Sequence, residues 1–247
     1  MTLDPSRRTF CTMGAGLALS AMAGGGVHAE AASPVADTRH GRVRGYVDRD
    51  IKVFKGVRYG ADTSNRRFRP AEKPAAWRGV ADATAYGHAS PQKSNEPDQS
   101  EDCLFLNVWT PALADGGARP VMVYVHGGAH ANGSGSSPLY DGAALCRRGD
   151  VVVVTLNHRL NVFGYSGLGQ LLGGEFAASG SVGNLDLILA LEWVRDNIAG
   201  FGGDPANVMV FGQSGGGAKL VTLMAMPRAA GLYHRVINIS GQHVTRM

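Results

Sequence analysis

Residues 151–156 read Val-Val-Val-Val-Thr-Leu, and residues 121–125 read Val-Met-Val-Tyr-Val. Unbroken β-branched runs of this kind belong to strands covered on both faces, as in a mainly parallel sheet with helices above and below it. Val-Met-Val-Phe at 208–211 and Val-Ile-Asn-Ile at 236–239 repeat the signature, so all four are expected as inner strands. Shorter strands are expected at 41–47 and 51–60, joined by a turn at 48–50, and at 103–111, where Pro111 ends the run.

Helical periodicity fills the gaps. In the stretch 184–200, Leu187, Ala190, Leu191, Val194 and Ile198 form one stripe and Leu185, Leu189 and Trp193 a second, so more than one face is covered. Asn184 is the expected cap at its start and Gly200 at its end. A further helix is expected from Gly215 to about Met226, stopped by Pro227. Strands alternating with helices make the fold class α/β. The loops 87–100 and 131–142 are expected as surface connectors. The loop 166–180 carries Leu and Phe and is expected to cover an apolar surface.

At 247 residues with 44% hydrophobic composition, the chain can bury one large core. Its net charge of +4 comes from scattered basic residues, which do not make the stripe that nucleic acid requires. Residues 1–31 read as a leader of the twin-arginine type. Arg7 and Arg8 precede Phe10 and a weakly apolar, Gly/Ala-rich run that closes on the small-residue site Val27-His28-Ala29. Glycines dilute that run too far for a spanning helix, so no stable membrane association is expected. The expected partner of this segment is the twin-arginine export machinery, the expected destination is the periplasm or beyond, and residues 32–247 form the folded domain. Cys103 and Cys146 remain in the exported part and are expected as free thiols.

Ser214 lies in Gly212-Gln213-Ser214-Gly215-Gly216, a G-x-S-x-G pattern between an apolar strand and a helix. Strand, sharp turn and helix are the context of a nucleophile elbow. There the serine takes a strained backbone conformation, and glycines let strand and helix converge. A phosphate-binding loop is the competing reading, but Lys219 stands at the wrong spacing for it. The second element is His126-Gly127-Gly128-Ala129-His130, directly after a buried strand. Backbone N–H groups in such a loop stabilise an oxyanion. His126 and His130 are also four apart, as in a helical metal pair, but Gly127 and Gly128 oppose a helix and no acidic ligand follows at zincin spacing. No metal or organic cofactor is expected.

With both elements placed, the chain resembles the N-terminal half of the type-B carboxylesterases, the family of cholinesterases and bacterial para-nitrobenzyl esterases, from about residue 37 to about 241. The stretch EDCLFLNVWTP (101–111) is close to one family signature, and FGGDPANVMVFGQSGG (201–216) fits the other along its length. NHRLNVFGY (157–165) and ALEWVRDNIAGFGGDP (190–205) are similar too. The resemblance implies an α/β-hydrolase fold, here truncated before the strands that carry the triad acid and histidine, acting on a small carboxylic ester. It makes Ser214 the acylated nucleophile and the N–H groups of Gly128, Ala129 and Gly215 the oxyanion hole. It also implies a structural Glu101, paired with Arg67.

There are departures from the family pattern. Gln213 and Gly215 flank the serine where Glu and Ala are common, and Ala129 and His130 replace a Gly and an aromatic residue. Arg58 stands at a proline position, and Ser90 replaces the cysteine that would pair with Cys103. The order in this fold is Ser, acid, His, yet no Asp or Glu follows Ser214 in the sequence. His234 and His243 do follow, and the resemblance gives His234 a structural place. His158 and Asp186 have the right chemistry, but the resemblance assigns both to structure. The expectation is therefore an exported serine carboxylesterase whose 247-residue chain is itself inactive. The alternative is a catalytically dead fragment or a non-catalytic cholinesterase-like binding module.

Overall fold

The computed structural model describes residues 33–241. The expected leader at 1–31, and His243, lie outside the described residues. The main sheet has seven strands, in the spatial order β10 (Arg235–Ile239), β9 (Gly203–Gln213), β7 (Arg119–Val125), β8 (Val152–Leu156), β6 (Phe105–Thr110), β4 (Ile51–Arg58) and β3 (Tyr46–Asp48). The four strands from β10 to β8 run parallel, and β6, β4 and β3 join them antiparallel. A small sheet of β1 (Val35–Thr38), β2 (Gly41–Arg44) and β5 (Val80–Asp82) stands apart.

The helices are α1 (Ala143–Gly149), the short α2 (Asn161–Gly164) and α3 (Gly169–Leu172), α4 (Val182–Asn197) and α5 (Gly215–Met224). One core lies where Val121, Val123 and Val125 of β7, with Val152, Val154 and Leu156 of β8, meet the apolar residues of α4 and α5. A smaller core on the opposite face packs Val153 and Trp109 against Ala143 and Cys146 of α1. Every residue of β8 is buried, as its composition requires. Burial of each large side chain contributes about 1.5–3 kcal/mol.

Several expectations are corrected. The segment 41–47 is two strands in different sheets, broken at Gly45, where a Cβ would lie 2.2 Å from the Val53 carbonyl oxygen. The close backbone crossing lets the chain change sheets. Helix α4 begins before Asn184, which is buried in its first turn and donates to Ser181 Oγ. Its far end tightens into a turn over Ile198–Phe201, and Gly202 rather than Gly200 takes the left-handed position, at φ 74°. That extra turn buries Ile198 and Phe201 in the core. Among the described residues β10 is the outermost strand on its side of the sheet, and Ile237 and Ile239 are exposed there. In the loop 166–180, Leu171 and Leu172 are exposed instead of covering an apolar surface. The loop 87–100 braces its neighbour, because the Gln92 side chain exchanges two hydrogen bonds with the Gly133 backbone.

Candidate active site

Ser214 sits between the last residue of β9 and the first of α5, half-buried, with φ 56° and ψ −123°. A side chain at positive φ is strained, and persists only where its surroundings hold it. Here the Ser214 N–H donates to the Ile239 carbonyl at 2.8 Å, while the Ser214 carbonyl accepts from Ala218 N–H at 3.0 Å. The neighbouring strand and the helix thus clamp the residue from both sides. Glycine is required beside it because β7 lies so close. A Cβ at Gly216 would meet the Val125 carbonyl oxygen at 2.1 Å, and one at Gly212 would meet it at 2.8 Å.

The loop after β7 returns to the same point. A Cβ on Gly215 would lie 2.4 Å from the N, Cα and O of Ala129, so this loop and the start of α5 touch backbone to backbone. Gly128 and Ala129 both adopt positive φ, 87° and 52°. The loop is held by hydrogen bonds from Ala131 N–H and Asn132 N–H to the Gly128 carbonyl, and from Asn161 N–H to the His130 carbonyl. Among the described residues none accepts a hydrogen bond from the N–H of Gly128, Ala129 or Gly215. Ser214, Gly128, Ala129 and Gly215 are thus brought together, with Ala129 exposed and the others buried or partly so.

The remaining candidates are engaged elsewhere. Asp186 is fully buried and accepts three hydrogen bonds from Arg159: from Nε at 2.8 Å, from Nη2 at 2.6 Å and from the backbone N–H at 3.1 Å. Burial pushes its carboxyl up from the usual carboxylate range, and the Arg159 charge offsets part of that rise. His158 is buried with its ring 4.7 Å from that of His126, whereas the ring of His130 packs edge-on against Tyr165. The two histidines with metal-pair spacing therefore face different neighbours. His234 ties its chain to β9, exchanging hydrogen bonds with the backbone of Val208.

The Arg67–Glu101 pair forms, with Nε to Oε2 at 2.7 Å and a second contact from Nη2 to Oε1. The Arg67 side chain is 56% exposed, so the pair lies at the surface. Arg58 finds its own acid in Asp102, at 2.5 and 2.7 Å. Cys103 and Cys146 are free and buried, and the Ser90 hydroxyl accepts from Leu160 N–H.

Lys219, at the wrong spacing for a phosphate loop, is fully buried and donates to the His126 carbonyl at 3.2 Å. A signal was present: Gly216, Lys219, Leu220 and Leu223 follow i, i+3, i+4, i+7, which places the lysine on the buried face of its helix. Burial, and then the nearby Lys219 charge, lower the His126 imidazole from 6.5 to about 3. His158 is lowered well below the same value for the same reasons, burial first.

The model of the carboxylesterase family matches residues 32–247. A para-nitrobenzyl esterase of Bacillus subtilis is 44% identical over 216 residues, an overlap of 84% of this chain and 43% of that protein. A phenmedipham hydrolase of Pseudarthrobacter oxydans is 39% identical over 217 residues, 83% of this chain and 42% of that one. Among solved structures, carboxylesterase EST55 of Geobacillus stearothermophilus superposes with a TM-score of 0.79 at 49% identity, over 82% of this chain and 42% of that one. The chain spans less than half the length of these relatives.

Proposed function

The chain belongs to the carboxylesterase family and has the α/β-hydrolase fold, and on that premise we propose that it carries the nucleophile and oxyanion half of a serine carboxylic ester hydrolase. In this reading Ser214 Oγ attacks the acyl carbonyl of a small ester. The N–H groups of Gly128, Ala129 and Gly215 hold the oxyanion, the alcohol leaves, and water then frees the acid from the acyl-enzyme. The observation that supports it best is the clamped, positive-φ Ser214 in backbone contact with the Ala129 loop. No cofactor enters this chemistry.

The proton of Ser214 needs a base, and in this reading an acid and a histidine come from the part of the relatives' length that the chain does not span. Labelling with a fluorophosphonate probe tests the nucleophile. Modification of Ser214, absent in Ser214→Ala, is the expected result when the partners are present. A Ser214→Ala protein that still hydrolysed nitrophenyl esters would sink the reading.

A second reading, a non-catalytic cholinesterase-like binding module, has one observation in its favour: His158 and Asp186 are both engaged elsewhere. It predicts no faster probe reaction at Ser214 than at a denatured control. We further propose that residues 1–31 direct export through the twin-arginine machinery to the periplasm. Replacement of Arg7 and Arg8 by Lys should then leave the protein inside the cell, and normal export of that variant would refute this.

A further inference from the structure

Helix α5 carries a charged residue where its pattern calls for a hydrocarbon. Lys219 is fully buried beside Leu220 and Leu223. Its Nζ reaches the carbonyl of His126, the residue that links β7 to Gly127. The buried rings of His126 and His158 lie 4.7 Å apart, tilted by 37°, and among the described residues His126 Nε2 and both ring nitrogens of His158 have no hydrogen-bond partner. The titratable groups facing this cluster are His126 at the end of β7, His158 after β8 and His130 in the loop. Burial is what shifts the Lys219 amine, and among the described residues no carboxylate holds it charged. An amine buried in this way costs stability that Met or Leu would not, so packing does not account for it.

We propose that Lys219 is a positioning residue for the oxyanion loop: its ammonium fastens the His126 carbonyl and so fixes where Gly128 and Ala129 present their N–H groups. The inference deepens the esterase reading and rests on it. One helix then does two things at the loop, its first residue touching Ala129 and its second turn holding the carbonyl that starts the loop. A charged donor binds a carbonyl about twice as strongly as a neutral one. The buried cation also biases the loop toward a developing negative charge. Burial lowers the amine from 10.5 to about 7. The ammonium is therefore present below neutrality and lost above it, while His126 stays neutral throughout that range.

Hydrogen exchange on the full chain tests this without requiring turnover. The reporters are Ala131 N–H and Asn132 N–H, both bonded to the Gly128 carbonyl, with α4 as internal reference. Lys219→Met, close in volume, should lower protection at both reporters about tenfold and leave α4 unchanged. In the unmodified protein, their protection relative to α4 should fall as pH rises from about 6 to about 9. A folded Lys219→Met protein with unaltered reporters overturns the proposal. Should that variant not fold, a pH-independent ratio in the unmodified protein overturns it equally. Where Ser214 takes up a fluorophosphonate, the variant should react about tenfold more slowly and lose the decline above neutrality. Absence of labelling when the acid and histidine partners are present counts against the esterase reading instead, and exchange still decides the role of Lys219.

Discussion

Replacing Asp186 by Asn should be among the most damaging single changes in this fold, and reversing it should require removal of the partner. Asp186 is fully buried in α4 and takes two side-chain hydrogen bonds and one backbone hydrogen bond from Arg159. Asn keeps the shape but leaves a buried guanidinium without its counter-charge. Each charge-assisted hydrogen bond lost is worth about 1.5–3 kcal/mol. One or two such losses match the roughly 3–5 kcal/mol typical of breaking a buried pair from one side. In a domain of this size that lowers the melting temperature by about 6–20 °C. The damage should reach the site, because the next residues, Leu160 and Asn161, donate their N–H groups to the Ser90 hydroxyl and the His130 carbonyl. The double variant Arg159→Met/Asp186→Leu should return to within about 2 kcal/mol of the parent, since burial of the ions cancels most of their attraction. The upward push on the Asp186 carboxyl reflects that cost. Urea titration and calorimetry on the three variants are the assay. A loss below about 1 kcal/mol for Asp186→Asn, or a double variant no better than the single, would refute the reasoning.

Gly216→Ala would place a Cβ 2.1 Å from the Val125 carbonyl oxygen, so the elbow must open away from β7; where Ser214 takes up a fluorophosphonate, its labelling should slow about 100-fold or more, and an unchanged rate would show that β7 yields freely. Acid should destabilise the fold through its buried histidines. His126 lies near 3 when folded and near 6.5 when unfolded, so the unfolded chain binds the proton first as pH falls, and stability drops between those values. At about pH 4 this amounts to about 3 kcal/mol, and His126→Gln should flatten the dependence of the urea midpoint on pH. Arg67→Ala should leave the melting temperature unchanged within error, because that pair is solvent-screened, and a clear drop would show that it carries more than its exposure indicates.

What was legible in the sequence is what neighbouring residues decide among themselves. The run 151–156 can only be an inner strand, and a serine set among glycines between an apolar strand and a helix can only be a sharp turn that presents it. The same holds for the loop at 126–130, whose glycines point to backbone donors. Long-range proximity decided the rest. The run 236–239 has the composition of an inner strand, yet composition does not say what lies beside it, and among the described residues only β9 does. Arg67 and Glu101 pair as expected, but only the packed surface sets how much water reaches them. Asp186 and Arg159 meet across 27 residues, and Lys219 and the His126 carbonyl across 93. Local pattern carries no trace of such distances, because side chains far apart in sequence acquire a common dielectric and common partners only once the sheet has closed around them.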